Sequence, residues 1–210
     1  MSRKRSGTGR LRGWLELTGK AMGGIIARVS EDRIIEYPHP ALRKKAQPVR
    51  RITAATHDLI AAMIRLLRER GGLGLAANQV GVLERVIVVQ REEGIVPLIN
   101  PAITGHDGEE ISDEGCLSLP QLYGMVPRHT SVTVRGKDPS GKSVTISAEG
   151  LEARALQHEI DHLDGILFTH RAHADSFFWL VEGENGETAH QPTRLEDALK
   201  VFELRNLARV

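Results

Sequence analysis

The stretch QHEIDH (157–162) sets two histidines four positions apart, with a glutamate directly after the first. On an α-helix, residues i and i+4 lie on one face, one turn apart, so His158 and His162 aim two imidazoles at one point. Glu159 falls about 100° around the helix from His158. It therefore stands beside an ion held there without having to bind it, where a general base for water is needed. Taken alone, the pattern equally fits two surface histidines and a solvated glutamate. The same face carries Leu151 and Ala155, which predicts that it points inward, and a buried histidine pair needs partners that a metal supplies. A catalytic ion takes three protein ligands and keeps a fourth position open. His170 and His173 offer a third ligand downstream. Upstream, the chain's one cysteine, Cys116, sits in DEGCLSLP (113–120). A lone cysteine is as readily a small buried hydrophobe.

Two further segments bear on that choice. GLGLAANQ (72–79), EGCLS (114–118) and QHEIDH follow one another along the chain. In order and spacing they resemble the three signature motifs of peptide deformylases, which remove the formyl group from the N-terminal formyl-methionine of nascent polypeptides. YPHPALRKKAQPV near the start, VPRH after the cysteine and HLDGILF after the helix are similar to the family as well. The resemblance runs from about Ile34 to Phe168.

The resemblance implies that Cys116, His158 and His162 bind one divalent metal ion. It implies iron(II) as the native ion, with zinc, nickel or cobalt able to occupy the same ligands. Glu159 is then the catalytic acid/base, and Gln79 and the backbone N–H of Leu117 donate to the developing oxyanion. The Gly72–Leu75 backbone, Gly72, Gly74 and Leu75 included, pairs with an extended N-formylmethionyl peptide. Tyr123 and Leu122 fit either the substrate groove or the core. The residue types agree with these roles. A thiolate with two neutral imidazoles makes a tetrahedral site with one vacancy, and Gly74 suits a close approach of backbone to a ligand. Asp161 and Asp164 are candidates to orient the histidines. Glu114 and Arg128 carry opposite charges that could brace the cysteine loop. Three rival readings remain. GLGLAA matches a dinucleotide fingerprint, which must follow a strand and open a helix. QHEIDH suits a zinc endopeptidase indifferent to Cys116. A deformylase-like binding module without turnover is the third.

Positioning these residues takes a fold of helix, several strands and a second helix. Leu59, Met63, Leu66 and Leu67 recur at helical spacing over 54–70, and Gly71-Gly72 ends that helix. The Pro-punctuated 37–48 is extended or turn-like. RVIVVQ (85–90) and VPLIN (96–100) read as strands. SVTVRG (131–136) and SVTISA (143–148) flank DPSG as a hairpin. Helical period returns over 149–164. FFWLV (177–181) is a strand or an apolar anchor, ENGE (184–187) a turn, and 194–208 an amphipathic helix opened by a Thr193/Glu196 capping box. This order predicts an α+β fold, mainly antiparallel β-sheets around a central metal-binding HExxH helix.

The expected organisation is a basic extension (1–30), a catalytic domain (31–170) and a C-terminal extension (171–210). Composition is that of an ordinary globular chain, 40% hydrophobic and 26% charged. No apolar run reaches the roughly 18–20 residues of a membrane span, and no small organic cofactor is expected. One cysteine excludes an intrachain disulfide and fits a reducing, cytoplasmic setting. Residues 1–28 carry seven basic side chains against Glu16, so the net +1 hides a tail of about +6. Such a tail is solvated, touches ribosomal RNA, or serves as an organellar transit segment.

Overall fold

In the computed structural model, residues 33–183 and 186–208 are described. The expectations for the basic segment 1–30 lie outside these residues, as does part of the ENGE turn. Helix α1 spans Ala54–Arg70 and ends where Gly71 turns left-handed at φ 65°, a conformation glycine adopts without a Cβ penalty. Nine strands follow: β1 (Gly74–Ala76), β2 (Val86–Arg91), β3 (Gly94–Asp107), β4 (Glu110–Cys116), β5 (Leu119–Arg128), β6 (Ser131–Lys137), β7 (Ser143–Glu149), β8 (Phe178–Glu182) and β9 (Thr188–Pro192). Helix α2 (Gly150–Leu163) connects β7 to β8, and α3 (Leu195–Leu207) follows β9.

The strands make two sheets, ordered β1-β2-β3-β6-β7 and β4-β5-β8-β9. All their pairings are antiparallel. β2 shows what holds the first sheet. Its side chains alternate between faces, so Ile87 and Val89 meet Leu156, Ile160 and Leu163 of α2, while Val86 and Val88 meet Leu66 and Leu67 of α1. Burying each such aliphatic side chain stabilises the fold by about 1.5–3 kcal/mol. The sheet is thus a sandwich filling between two helices. The second sheet packs Leu119, Leu122 and Val126 against Tyr37, Phe168, Phe177 and Phe202. Helix α2 is buried from Ala153 through Leu163, so its polar stripe must be satisfied from within.

The elements read from sequence are present near these positions, and β4, β5 and β9 are strands that the sequence reading did not name. The 37–48 segment contains a 3₁₀ turn at Pro40–Arg43 after a cis Tyr37–Pro38 bond. VPLIN is the centre of a much longer strand. Leu122 belongs to the core. No capping box opens α3: Arg194 is its N-cap, and the Thr193 hydroxyl donates to the Arg194 carbonyl instead. Of segment 177–181, Phe177 is a core anchor and the rest opens strand β8, which pairs with β5. Among the described residues, no helix is long and apolar enough to cross a bilayer.

Candidate metal centre and active-site cleft

A cleft of about 770 Å³ opens between the two sheets. β1, the terminal strand of one sheet, and β4, the terminal strand of the other, both line it. Gly72, Gly74, Gln79, Cys116, Leu117, Tyr123, His158 and Glu159 contribute to its walls. His162 lies behind the lining, fully buried, and Leu75 turns its side chain into the core. Leu151 was expected on the inward face of the helix but is 61% exposed. It stands in the first turn of α2, at the cleft rim. Ala155, one turn on, is buried as expected.

Cys116 comes to the site at a shift in the β4–β5 register, between Gly115 and Cys116. Such irregularities re-aim a side chain away from the ladder. The cysteine Sγ is 3.2 Å from His162 Nε2, which is 3.2 Å from His158 Nε2. The three ligand atoms lie within 4.8 Å of one another. Ligands about 2.0–2.3 Å from a tetrahedral ion stand roughly 3.3–3.7 Å apart, so the set is close to metal-binding size. His170 and His173 are elsewhere. His170 Nδ1 accepts from the Leu167 N–H, and the His173 N–H is spent on Met125.

Hydrogen bonds and burial set the two rings apart. His158 Nδ1 donates to Glu114 Oε1 at 2.6 Å, which leaves Nε2 directed at His162. Burial acts to lower the His158 pKa, but hydrogen bonds to Cys116 and Glu114 outweigh it and hold the ring well above its usual value. Burial pushes His162 well below, and the neighbouring His158 charge adds to this. A thiol sulfur and two imidazole nitrogens suit a divalent transition metal.

Glu159 is buried beside them. Burial raises its carboxyl to about 7, and Oε2 has no partner among the described residues. Its Oε1 and Cγ lie only 2.5 and 2.6 Å from where a Cβ on Gly74 would stand. Gly74 is thus needed for Glu159 to pack against β1. The close approach anticipated for a ligand is made by the protein's own carboxylate. Gln79 is oriented by accepting the Ala76 N–H on Oε1 at 2.8 Å, which turns Nε2 toward Cys116 Sγ (3.6 Å) and Ser118 Oγ (3.3 Å).

Glu114 is the residue whose weight the sequence concealed. It accepts from His158, in a fork from Arg128 (2.7 and 3.0 Å) and from Arg154 (3.3 Å). Burial opposes its ionisation, but the bonds from His158 and Arg128 prevail and hold its carboxyl far below the usual range. The Glu114–Arg128 pair is as anticipated. Asp161 and Asp164, however, do not orient the histidines directly. Asp161 bonds Arg128 and Arg171, and Asp164 pairs with Arg85 and Lys45. The sequence marked Glu114 only by its charge opposite to Arg128; its bond to His158 had no signal along the chain. The GLGLAA segment follows α1 and makes a short strand and a 3₁₀ turn, Ala77–Val80, so the dinucleotide reading lacks its strand–helix setting.

Residues 31–177 match the family model described as polypeptide deformylase. A peptide deformylase of Desulforudis audaxviator is 49% identical over 142 residues, covering 67% of this chain and 92% of that protein. Among solved structures, a peptide deformylase from Legionella pneumophila superimposes with a TM-score of 0.65 at 39% identity, covering 67% of this chain and 85% of its own. The enzyme from Thermotoga maritima gives 0.65 at 37%, covering 67% of this chain and 97% of its own.

Proposed function

Because the chain belongs to the peptide deformylase family, we infer that this cleft hydrolyses the formyl group from formyl-methionine at the N-terminus of nascent polypeptides. The observation that carries the reading is the meeting of Cys116, His158 and His162 on the cleft wall, with Glu159 beside them. These three residues would hold one divalent ion, which, when bound, supplies Lewis-acid polarisation of the formyl carbonyl and a lowered water pKa. Iron(II) is the proposed native occupant, and zinc, nickel and cobalt fit the same donors.

The protein's own residues do the rest. Glu159 takes a proton from the attacking water as oxygen adds to the formyl carbon. Gln79 Nε2 and the Leu117 N–H donate to the oxyanion that forms, each such donor contributing about 10²–10³ in rate. The carbon–nitrogen bond then breaks, Glu159 returns the proton to the leaving amine, and formate departs.

The peptide lies extended in the cleft, where it meets the backbone of terminal strands β1 and β4. Gly74 and Leu75 offer the backbone of β1, and Gly72 that of the segment just before it. Tyr123, with Leu73 and Leu151 at the rim, covers the side chains. We assign catalysis to residues 31–170, with 171–210 bracing the second sheet through β8. A cytoplasmic setting follows from the nascent-chain substrate. The basic segment is proposed to touch ribosomal RNA, which salt-dependent co-sedimentation of the full chain and of a Δ1–30 variant with ribosomes tests. The central test is turnover of formyl-Met-Ala-Ser against acetyl-Met-Ala-Ser alongside metal analysis. Equal rates on both, or turnover undiminished by Cys116→Ser, would refute the reading.

A further inference from the structure

A chain of charged groups runs from the His158 ring to the surface. His158 Nδ1 donates to Glu114 (2.6 Å), and Arg128 grips both Glu114 oxygens. Arg128 Nη1 also donates to Asp161 Oδ2 at 2.5 Å. Asp161 in turn accepts a fork from Arg171, Nε to Oδ2 and Nη2 to Oδ1, both at 2.6 Å. Arg128, Glu114 and Asp161 are buried, whereas the Arg171 side chain is 44% exposed. It opens on a second cavity of about 560 Å³, shared with Arg128, Asp161 and His170, among others.

We propose that Arg171 is a positioning residue for the metal ligand His158, acting through Asp161, Arg128 and Glu114. Two forked contacts make this physically direct. A guanidinium bound to both oxygens of a carboxylate fixes its plane as well as its distance, which a single hydrogen bond does not. Arg171 sets the plane of Asp161, and Asp161 sets which way Arg128 presents its fork. Arg128 sets the Glu114 oxygen that receives the His158 Nδ1 proton. That bond holds the ring's tautomer and aim. Arg171 also supplies the outermost positive charge of a row in which Glu114 and Asp161 are both buried.

The inference rests on Cys116, His158 and His162 holding a metal, and the test separates the two. Full-length protein is loaded with Co²⁺, and metal affinity, the cobalt absorption spectrum, kcat and KM on formyl-Met-Ala-Ser are measured. The variants are Arg171→Ala, Arg171→Lys and Arg85→Ala. Arg85 is a control because its ion pair with Asp164, at the end of the same helix, leads away from the metal ligands. Arg171→Ala should bind Co²⁺ about 3- to 10-fold more weakly, at or below the low end of the range for losing a partner of a metal ligand. Its spectrum should shift and kcat should fall, with KM little changed. Guanidinium at tens of millimolar, entering the second cavity, should restore part of the loss, and Arg85→Ala should do none of this. Unchanged affinity and kcat in Arg171→Ala, or equal losses in Arg85→Ala, overturn the inference. If Arg171→Ala does not fold, Arg171→Lys decides: it keeps the charge without the fork, so unchanged affinity and kcat there overturn it too. Failure of the unmodified protein to bind Co²⁺ would instead overturn the reading of the site.

Discussion

Gly74→Ala tests the geometry of the site most directly. The new methyl carbon would sit 2.6 Å from Glu159 Cγ and 2.5 Å from Oε1. Carbon–carbon contacts are comfortable at about 3.5 Å, so one partner must retreat by roughly 0.9 Å. Rotating the carboxylate end does not suffice, because Cγ clashes as well and Glu159 is 3% exposed on a packed helix. A misplacement near 1 Å costs about 10²-fold in rate, or about 2.7 kcal/mol of transition-state stabilisation. Overpacking itself should cost about 1–3 kcal/mol of stability, which lowers Tm by about 2–12 °C in a chain of this size. The three atoms nearest the new methyl all belong to Glu159 and none to Cys116, His158 or His162, so metal content should stay near one per chain. The assay is steady-state deformylation of formyl-Met-Ala-Ser on metal-quantified protein. Loss should appear in kcat. Activity within about 3-fold of the unmodified enzyme, at equal metal content, would refute the claim that Glu159 works from this packed position.

Four further outcomes are expected. Gln79→Ala should keep its metal while kcat falls about 10²–10³-fold, read by turnover on metal-quantified protein. Glu114→Gln should weaken metal binding about 10–100-fold by chelator competition. Because the Glu114 carboxyl is held below its unfolded value, its stabilisation is present above about pH 4.5 and is lost as pH falls further. Urea melts at pH 3–6 should therefore be flatter for the variant. In metal-free protein Glu159 has the opposite sign: its raised pKa makes stability fall as pH rises from about 4.5 to about 7. Melts of chelator-treated Glu159→Gln should lose that slope. Finally, Leu75 and Ala76 are buried, so a peptide leaving the metal centre along β1 must run past Gly72 toward Arg70 at the cleft edge. Arg70→Glu should lower kcat/KM for formyl-Met-Ala-Glu relative to formyl-Met-Ala-Lys by about 5-fold, an effect 1 M salt should erase.

What the sequence displayed were features fixed by local geometry. The four-residue spacing of His158 and His162 is one helical turn and survives any tertiary context. Gly71 ended α1 because a left-handed residue was required there. The cysteine was different: nothing local ties position 116 to position 158, and only resemblance across three motifs joined them. Glu114 stayed hidden because its importance comes from strand β4 lying against a buried helix, which spacing along the chain does not encode. Asp161 was noticed for the right helix but the wrong partner, since its oxygens are claimed by two arginines from other elements. Leu151 misled because helical phase predicts a face and not whether that face opens on a cleft at the helix's first turn. The capping box at Thr193 failed when the strand before it continued to Pro192 and shifted the helix start by one residue.

Both sheets come to an end at the cleft, one at β1 and the other at β4. A ligand that satisfies both rims must present several consecutive residues with their amides free. Chain ends already wound into a helix or paired within a domain have none to offer. On the proposed reading, access is thereby a matter of timing: the reaction competes with folding of the product's own first residues.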